Sequence, residues 1–173
     1  MYIQYHDQEW GVRLTGDDAM FERVSLEGFQ AGLSWITILR RRENFRKAFK
    51  DFEIAKVARM GNKDIETLMI NEGIIRNRAK ISATIANAKR ALELEDSLSD
   101  LIWSHAPKAR AKRVSNEAFE LVGSTPESAA LSKNLRKLGF CFVGPTTMYA
   151  LMQSVGMVND HAPGCFRRSQ LNQ

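Results

Sequence analysis

The chain has 173 residues, 44% of them hydrophobic, with two cysteines and a formal charge of +5 from 25 basic and 20 acidic side chains. That length suits one compact domain with a real core, and two thiols argue against a disulfide-stapled scaffold and for a reducing compartment. No basic-then-apolar leader opens the chain and no apolar run approaches the roughly 20 residues of a bilayer span, so a soluble, cytoplasmic protein without membrane contact is expected.

The pattern reads as helix nearly throughout. Asp17 or Asp18 caps a helix on which Phe21, Val24, Phe29 and Leu33 recur at helical spacing. Gly28 and Gly32 fall four apart on one face of it, at about 1 kcal/mol each relative to alanine, which close packing or a ligand would explain. A basic segment, Arg40 to Lys47, precedes short helices near 53–60 and 63–72, with Gly73 as a stop. Ile81, Ile85, Ala88 and Leu92 mark an amphipathic helix from Asn77 to about Leu94, and Ser97 begins a shorter one ending near Trp103. Ala106 to Arg113 reads as a basic loop by composition. Thr125 and Pro126 open a helix through Leu131 and Leu135 that Gly139 ends. Pro145 opens a last strong helix through Tyr149, Met152 and Val155, stopped by Gly156. No alternating run supports a strand, and no linker or repeat interrupts the chain. The expected class is all-α, one domain over 1–173.

Gly139 and Gly144 bracket a short apolar turn between those last two helices, Phe140, Cys141, Phe142 and Val143. Such a hairpin presents backbone N–H groups at Gly144, Thr146 and Thr147, at the positive end of a helix, where a phosphate oxygen can bind. Lys133, Arg136 and Lys137 add charge nearby. The same turn is also an ordinary corner packing Phe140, Phe142 and Val143 into a core, and from the residues alone the two readings stand level. Cys141 is expected to pack inside the hairpin.

Several strings together resemble the 3-methyladenine DNA glycosylase I family of the helix-hairpin-helix superfamily. They are Tyr5 to Val12 (YHDQEWGV), Leu26 to Trp35 (LEGFQAGLSW), Gly73 to Asn77, Lys80-Ile81, Gly139-Phe140 through Pro145-Thr146, and Met152-Gln153 through His161. The resemblance runs from Tyr2 to about Cys165 and implies a helix-hairpin-helix at about 126–155 that grips DNA through Gly139, Phe142, Gly144, Thr146 and Thr147. Superfamily members with lyase activity carry a lysine where Thr146 stands, so a monofunctional enzyme is implied. It would hydrolyse the N-glycosidic bond of 3-methyladenine in alkylated double-stranded DNA, as a monomer. A base must leave the helical stack before its bond to sugar can be cut, and aromatic walls receive it. The resemblance assigns Tyr5 and Trp35 to that role, while Trp10 reads better as core filling. Glu27 matches the family's pocket glutamate, and is expected on the same helix as Trp35, eight residues on. Alkylation makes the adenine cationic, so a buried carboxylate complements it. Asp160 matches more loosely an aspartate that steadies the sugar cation, and is a second catalytic candidate.

His161 and Cys165 have a workable spacing for two zinc ligands. The family's structural zinc is held by two Cys and two His, and His6, His161 and Cys165 match three of them. The fourth, a cysteine ahead of the Tyr-His-Asp string, has no counterpart here, nor has a pocket tryptophan from the same segment. The sequence thus reads as truncated at its N-terminus relative to the family, with zinc held weakly by three residues and water, or not held. A competing reading is a non-catalytic helix-hairpin-helix DNA-binding protein. A His-Asp phosphohydrolase lacks the further upstream His it would need, and a purely structural helical protein leaves Glu27 and the hairpin unexplained.

Overall fold

The computed structural model describes residues 1–108 and 122–171, so the expected basic loop lies outside it beyond Lys108. Every regular element among the described residues is helical, as expected. The first half holds α1 (Tyr2–Gln8), α2 (Asp17–Gln30), α3 (Trp35–Leu39), α4 (Arg42–Ala48), α5 (Ile54–Val57) and α6 (Asn62–Met69). The second holds α7 (Arg78–Leu92), α8 (Leu98–Trp103), α9 (Pro126–Lys137), α10 (Pro145–Ser154) and α11 (Phe166–Gln170).

The organising element is α2. Its residues 23–29 are buried without interruption, because α3, α5, α7, α8 and α10 all pack against it. Met20, Phe21, Leu26 and Phe29 join the phenylalanines at 45, 49 and 52 and the inner faces of α7, α9 and α10 in one continuous core. A helix surrounded this way is ordinarily apolar all round. Here Arg23, Ser25 and Glu27 are buried on it as well, and buried charges need partners or a purpose.

Several boundaries differ from the sequence reading. Asp17 and Asp18 do not cap their own helix, whose N-cap is Gly16. Asp18 Oδ1 instead accepts from the Ile54 N–H at 2.8 Å and Asp17 Oδ1 from the Ser99 N–H at 2.9 Å, tying the starts of α5 and α8 to α2. The helix ends at Gln30, so Gly32 lies in the following turn with φ +81° and Leu33 is exposed there. The periodicity carried on through a turn because Leu33 happens to keep the phase. Gly73 stops no helix, since α6 ends at Met69; it allows Asn44 to approach within 3.1 Å of where a Cβ would stand. On α7, Ile81, Ile85 and Ala88 are buried as expected, whereas Leu92 is exposed at the last turn. Helix α1 carries no apolar period, since Tyr5 is its one buried residue.

The expected capped start holds at α9, where the Thr125 hydroxyl oxygen accepts from the Ser128 N–H and the Ser128 hydroxyl oxygen from the Thr125 N–H. Helices α9 and α10 pack closely, and Phe140 and Val143 anchor the turn between them in the core. The two ends of the chain meet at Gly11. A Cβ on Gly11 would lie 2.9 Å from the His161 ring, and its φ of +78° suits glycine.

Candidate active site

Helices α1, α2, α3 and α10 enclose a pocket of about 290 Å³ lined by Tyr2, Tyr5, His6, Trp10, Glu27, Gln30, Trp35, Ala150 and Gln153. The three residues expected to bind a base, Tyr5, Glu27 and Trp35, therefore come together. They do so from three helices, because α2 breaks after Gln30 and Trp35 begins α3. Placing Glu27 and Trp35 on one helix is corrected accordingly. The Tyr5 and Trp35 rings lie 5.3 Å apart at 44° and form an aromatic corner. The Trp35 indole N–H is buried and finds no acceptor among the described residues. Trp10 is no core filler: it is half-buried, lines the pocket and packs edge-on against His161 at 4.4 Å.

Glu27 is 4% exposed. Burial pushes its carboxyl up to about 7, against the downward pull of Arg23 and of a hydrogen bond with Ser154. Burial likewise raises the Tyr5 hydroxyl well above its ordinary value, so Tyr5 keeps its proton. The Arg23 guanidinium donates to the Tyr5 oxygen at 3.2 Å and to Glu9 at 2.9 Å. Arg42 grips the same Glu9 with two bonds, at 2.6 and 2.9 Å. Burial alone would raise the Glu9 carboxyl, yet the two guanidiniums hold it below its usual range. Nothing in the local sequence pattern marks Arg23 or Glu9 as site residues, since their pairing joins positions 14 apart across a loop.

Asp160 stands behind the pocket wall. Its carboxylate accepts from the Tyr149 hydroxyl at 2.5 Å and from the Gln153 amide at 2.8 Å, and Gln153 is the residue that reaches the pocket.

His6, His161 and Cys165 converge beside the pocket, their ligand atoms all within 4.8 Å of one another. The tautomers suit a cation. Asn159 gives its amide N–H to the Arg168 carbonyl, so its oxygen faces His161 Nδ1 at 2.9 Å and that nitrogen carries the proton. His161 Nε2 is then a bare lone pair, buried and without a partner among the described residues. Burial, foremost, and His6 lower the His161 ring to about 4, keeping it neutral. His6 Nδ1 contacts Asp7 at 2.7 Å, which leaves its Nε2 3.5 Å from the Cys165 sulfur. Second partners on Nδ1 are the usual way a protein orients histidine ligands, so these three residues fit a zinc ion.

The hairpin residues Gly139, Phe142, Gly144, Thr146 and Thr147 cluster at the turn from α9 to α10. Phe142 takes φ +57° and is 40% exposed. Cys141, expected inside, is exposed, because Asn87 on α7 takes its backbone instead, accepting from its N–H at 2.8 Å and donating to its carbonyl at 3.0 Å. Gly28, next to Glu27, lets the hairpin close on α2: a Cβ there would already touch Phe142 at 3.4 Å.

The family model described as methyladenine glycosylase matches residues 1–168. The chain belongs to the methyladenine glycosylase family. DNA-3-methyladenine glycosylase 1 of Escherichia coli (strain K12) is 47% identical over 168 residues, covering 95% of this chain and 90% of that relative. A crystal structure of 3-methyladenine DNA glycosylase I superposes with a TM-score of 0.90 at 47% identity, over 95% of this chain and 92% of that one. The same enzyme from Staphylococcus aureus, solved for the structural basis of 3-methyladenine recognition, gives a TM-score of 0.90 at 34% identity, over 96% and 90% of the two chains. The pocket of this methyladenine glycosylase sits on a backbone that its relatives share. No helix among its described residues is long and apolar enough to cross a membrane.

Proposed function

We propose that this chain is a monofunctional DNA glycosylase that hydrolyses the N-glycosidic bond of 3-methyladenine in alkylated double-stranded DNA. The observation that carries the reading is Glu27, a 4%-exposed carboxylate facing an aromatic-walled pocket. The names of its relatives point to the same base.

The chemistry follows from the geometry. The extruded base enters between Tyr5 and Trp35. Methylation at N3 leaves it cationic, so the bond from the sugar to N9 is already weak, and the carboxylate of Glu27 meets the positive charge. The bond breaks with its electron pair going to the base, which departs neutral. Water adds to the anomeric carbon and gives up a proton to solvent. Asp160, held by Tyr149 and Gln153, supplies a second negative charge near the sugar cation.

Backbone N–H groups of Gly144, Thr146 and Thr147 at the start of α10 take the phosphates, with Gly139 shaping the turn and Phe142 at its exposed tip. Thr146 offers no amine for a Schiff base, which supports hydrolysis without strand cleavage. His6, His161 and Cys165 would hold a structural zinc weakly, with water as the fourth ligand, and the ion would tie the two chain ends together. The whole of 1–173 acts as one domain, a reading supported by the single core. It works as a monomer in the cytoplasm, consistent with its two free thiols.

The test is release of free 3-methyladenine from methylated duplex DNA. The reading expects multiple turnovers from the wild-type chain, without strand scission. Binding to DNA with no base release would favour the non-catalytic helix-hairpin-helix alternative.

A further inference from the structure

Arg23 and Glu27 stand one turn apart on α2, at the i,i+4 spacing where opposite charges pair along a helix face. Both are buried, at 8% and 4% exposure. A direct ion pair would be the ordinary outcome, because a buried charge without a partner is costly. It does not form. The guanidinium of Arg23 turns instead to Glu9, at 2.9 Å, and to the Tyr5 oxygen. Among the described residues no ion pair joins it to Glu27. Glu9 is in turn fixed by Arg42, from α4, at 2.6 Å.

We propose that Glu9 is a positioning residue for the reaction: it captures Arg23 and so keeps the guanidinium from pairing directly with the Glu27 carboxylate. The inference rests on the reading of Glu27 as the group that meets the cationic base. A guanidinium seated on Glu27 would occupy the oxygens that a base needs and would present like charge to it. Glu9 removes that competitor without removing its stem from the core.

The experiment compares single-turnover release of 3-methyladenine by wild type, Glu9→Gln, Arg23→Met, the double variant Glu9→Gln/Arg23→Met, and Glu27→Gln. Release by Glu9→Gln is expected to slow roughly tenfold, the scale of one charge-assisted hydrogen bond. The double variant regains most of that loss, because the competing cation is gone. A crystal structure of Glu9→Gln is expected to show Arg23 within about 4 Å of Glu27, the distance of an ion pair. Wild-type rates from Glu9→Gln overturn the proposal, as does a double variant no faster than Glu9→Gln. Should Glu9→Gln fail to fold, Arg23→Met decides: release as slow as in Glu27→Gln would mean that Arg23 assists the base directly, against the proposal. Wild-type release by Glu27→Gln sinks the reading of Glu27 itself, whereas slow Glu27→Gln beside an unaffected Glu9→Gln sinks the role of Glu9 alone.

Discussion

The pocket and the hairpin sit on opposite ends of α10 and use the chain in opposite ways. The pocket places charges where solvent is excluded: Glu27 and Arg23 are buried on the central helix, and burial raises the Glu27 carboxyl to about 7. The hairpin buries no charge. It holds backbone in place through Phe140, Val143 and Asn87, and Thr146 at the start of α10 is exposed. The contrast teaches that a carboxylate buried in a pocket is expensive in stability, while a hairpin built from apolar side chains and backbone hydrogen bonds carries no such cost.

The largest expected effect breaks the pocket side. Glu27→Gln should reduce release of 3-methyladenine by roughly a hundredfold or more, the scale of one lost electrostatic contact to the reacting group. The same change should stabilise the protein. A carboxyl raised from 4.5 to about 7 in the folded state contributes stability that is complete below pH 4.5 and is lost as pH rises through 7. Above pH 8 the wild type therefore carries a penalty on the order of 3 kcal/mol that Glu27→Gln lacks. Chemical denaturation at pH 5 and pH 8 reads this directly: the two proteins converge at the lower pH and separate at the higher.

Next comes the hairpin side. Gly144→Asp puts a carboxylate where a phosphate would sit and should weaken binding to duplex DNA about tenfold, while affinity for the free base, read by tryptophan fluorescence, stays at the wild-type level. Loss of both together would erase the distinction between the two regions.

Asn87→Ala sharpens the same point. It leaves the N–H and carbonyl of Cys141 unpaired, and about 1–3 kcal/mol of stability goes with them. Asn87→Asp keeps the bond from the N–H and should lie between the two in denaturation midpoint.

The smallest effect concerns the metal site. Cobalt added to the metal-free protein should give a thiolate charge-transfer band that Cys165→Ser abolishes, and chelation should lower the melting temperature by only a few degrees, since His6, His161 and Cys165 lie outside the apolar core. An unchanged spectrum on cobalt addition would argue against the site.

Much of this was legible in the sequence, and the gaps have physical reasons. Helices α7, α8, α9 and α10 announce themselves through caps and period, as at Asn77, Ser97 and Thr125. Helices α1, α3 and α11 have 7, 5 and 5 residues, too short for a helical period to show. Glu27, Tyr5 and Trp35 were found through long family-like strings, and the structure brings them to one pocket. Asp17 and Asp18 misled because an aspartate at a helix start reads as its cap, whereas these two serve other helices. The Glu9–Arg23–Arg42 set was invisible, since a salt bridge between distant segments leaves no local pattern.

The most direct test of the central claim is the pH dependence of single-turnover 3-methyladenine release by wild type and Glu27→Gln. With the ionised carboxylate as the active form, the wild-type rate should climb as pH rises through about 7 and then level, while Glu27→Gln stays slow and flat. Matching profiles for the two proteins would contradict the account.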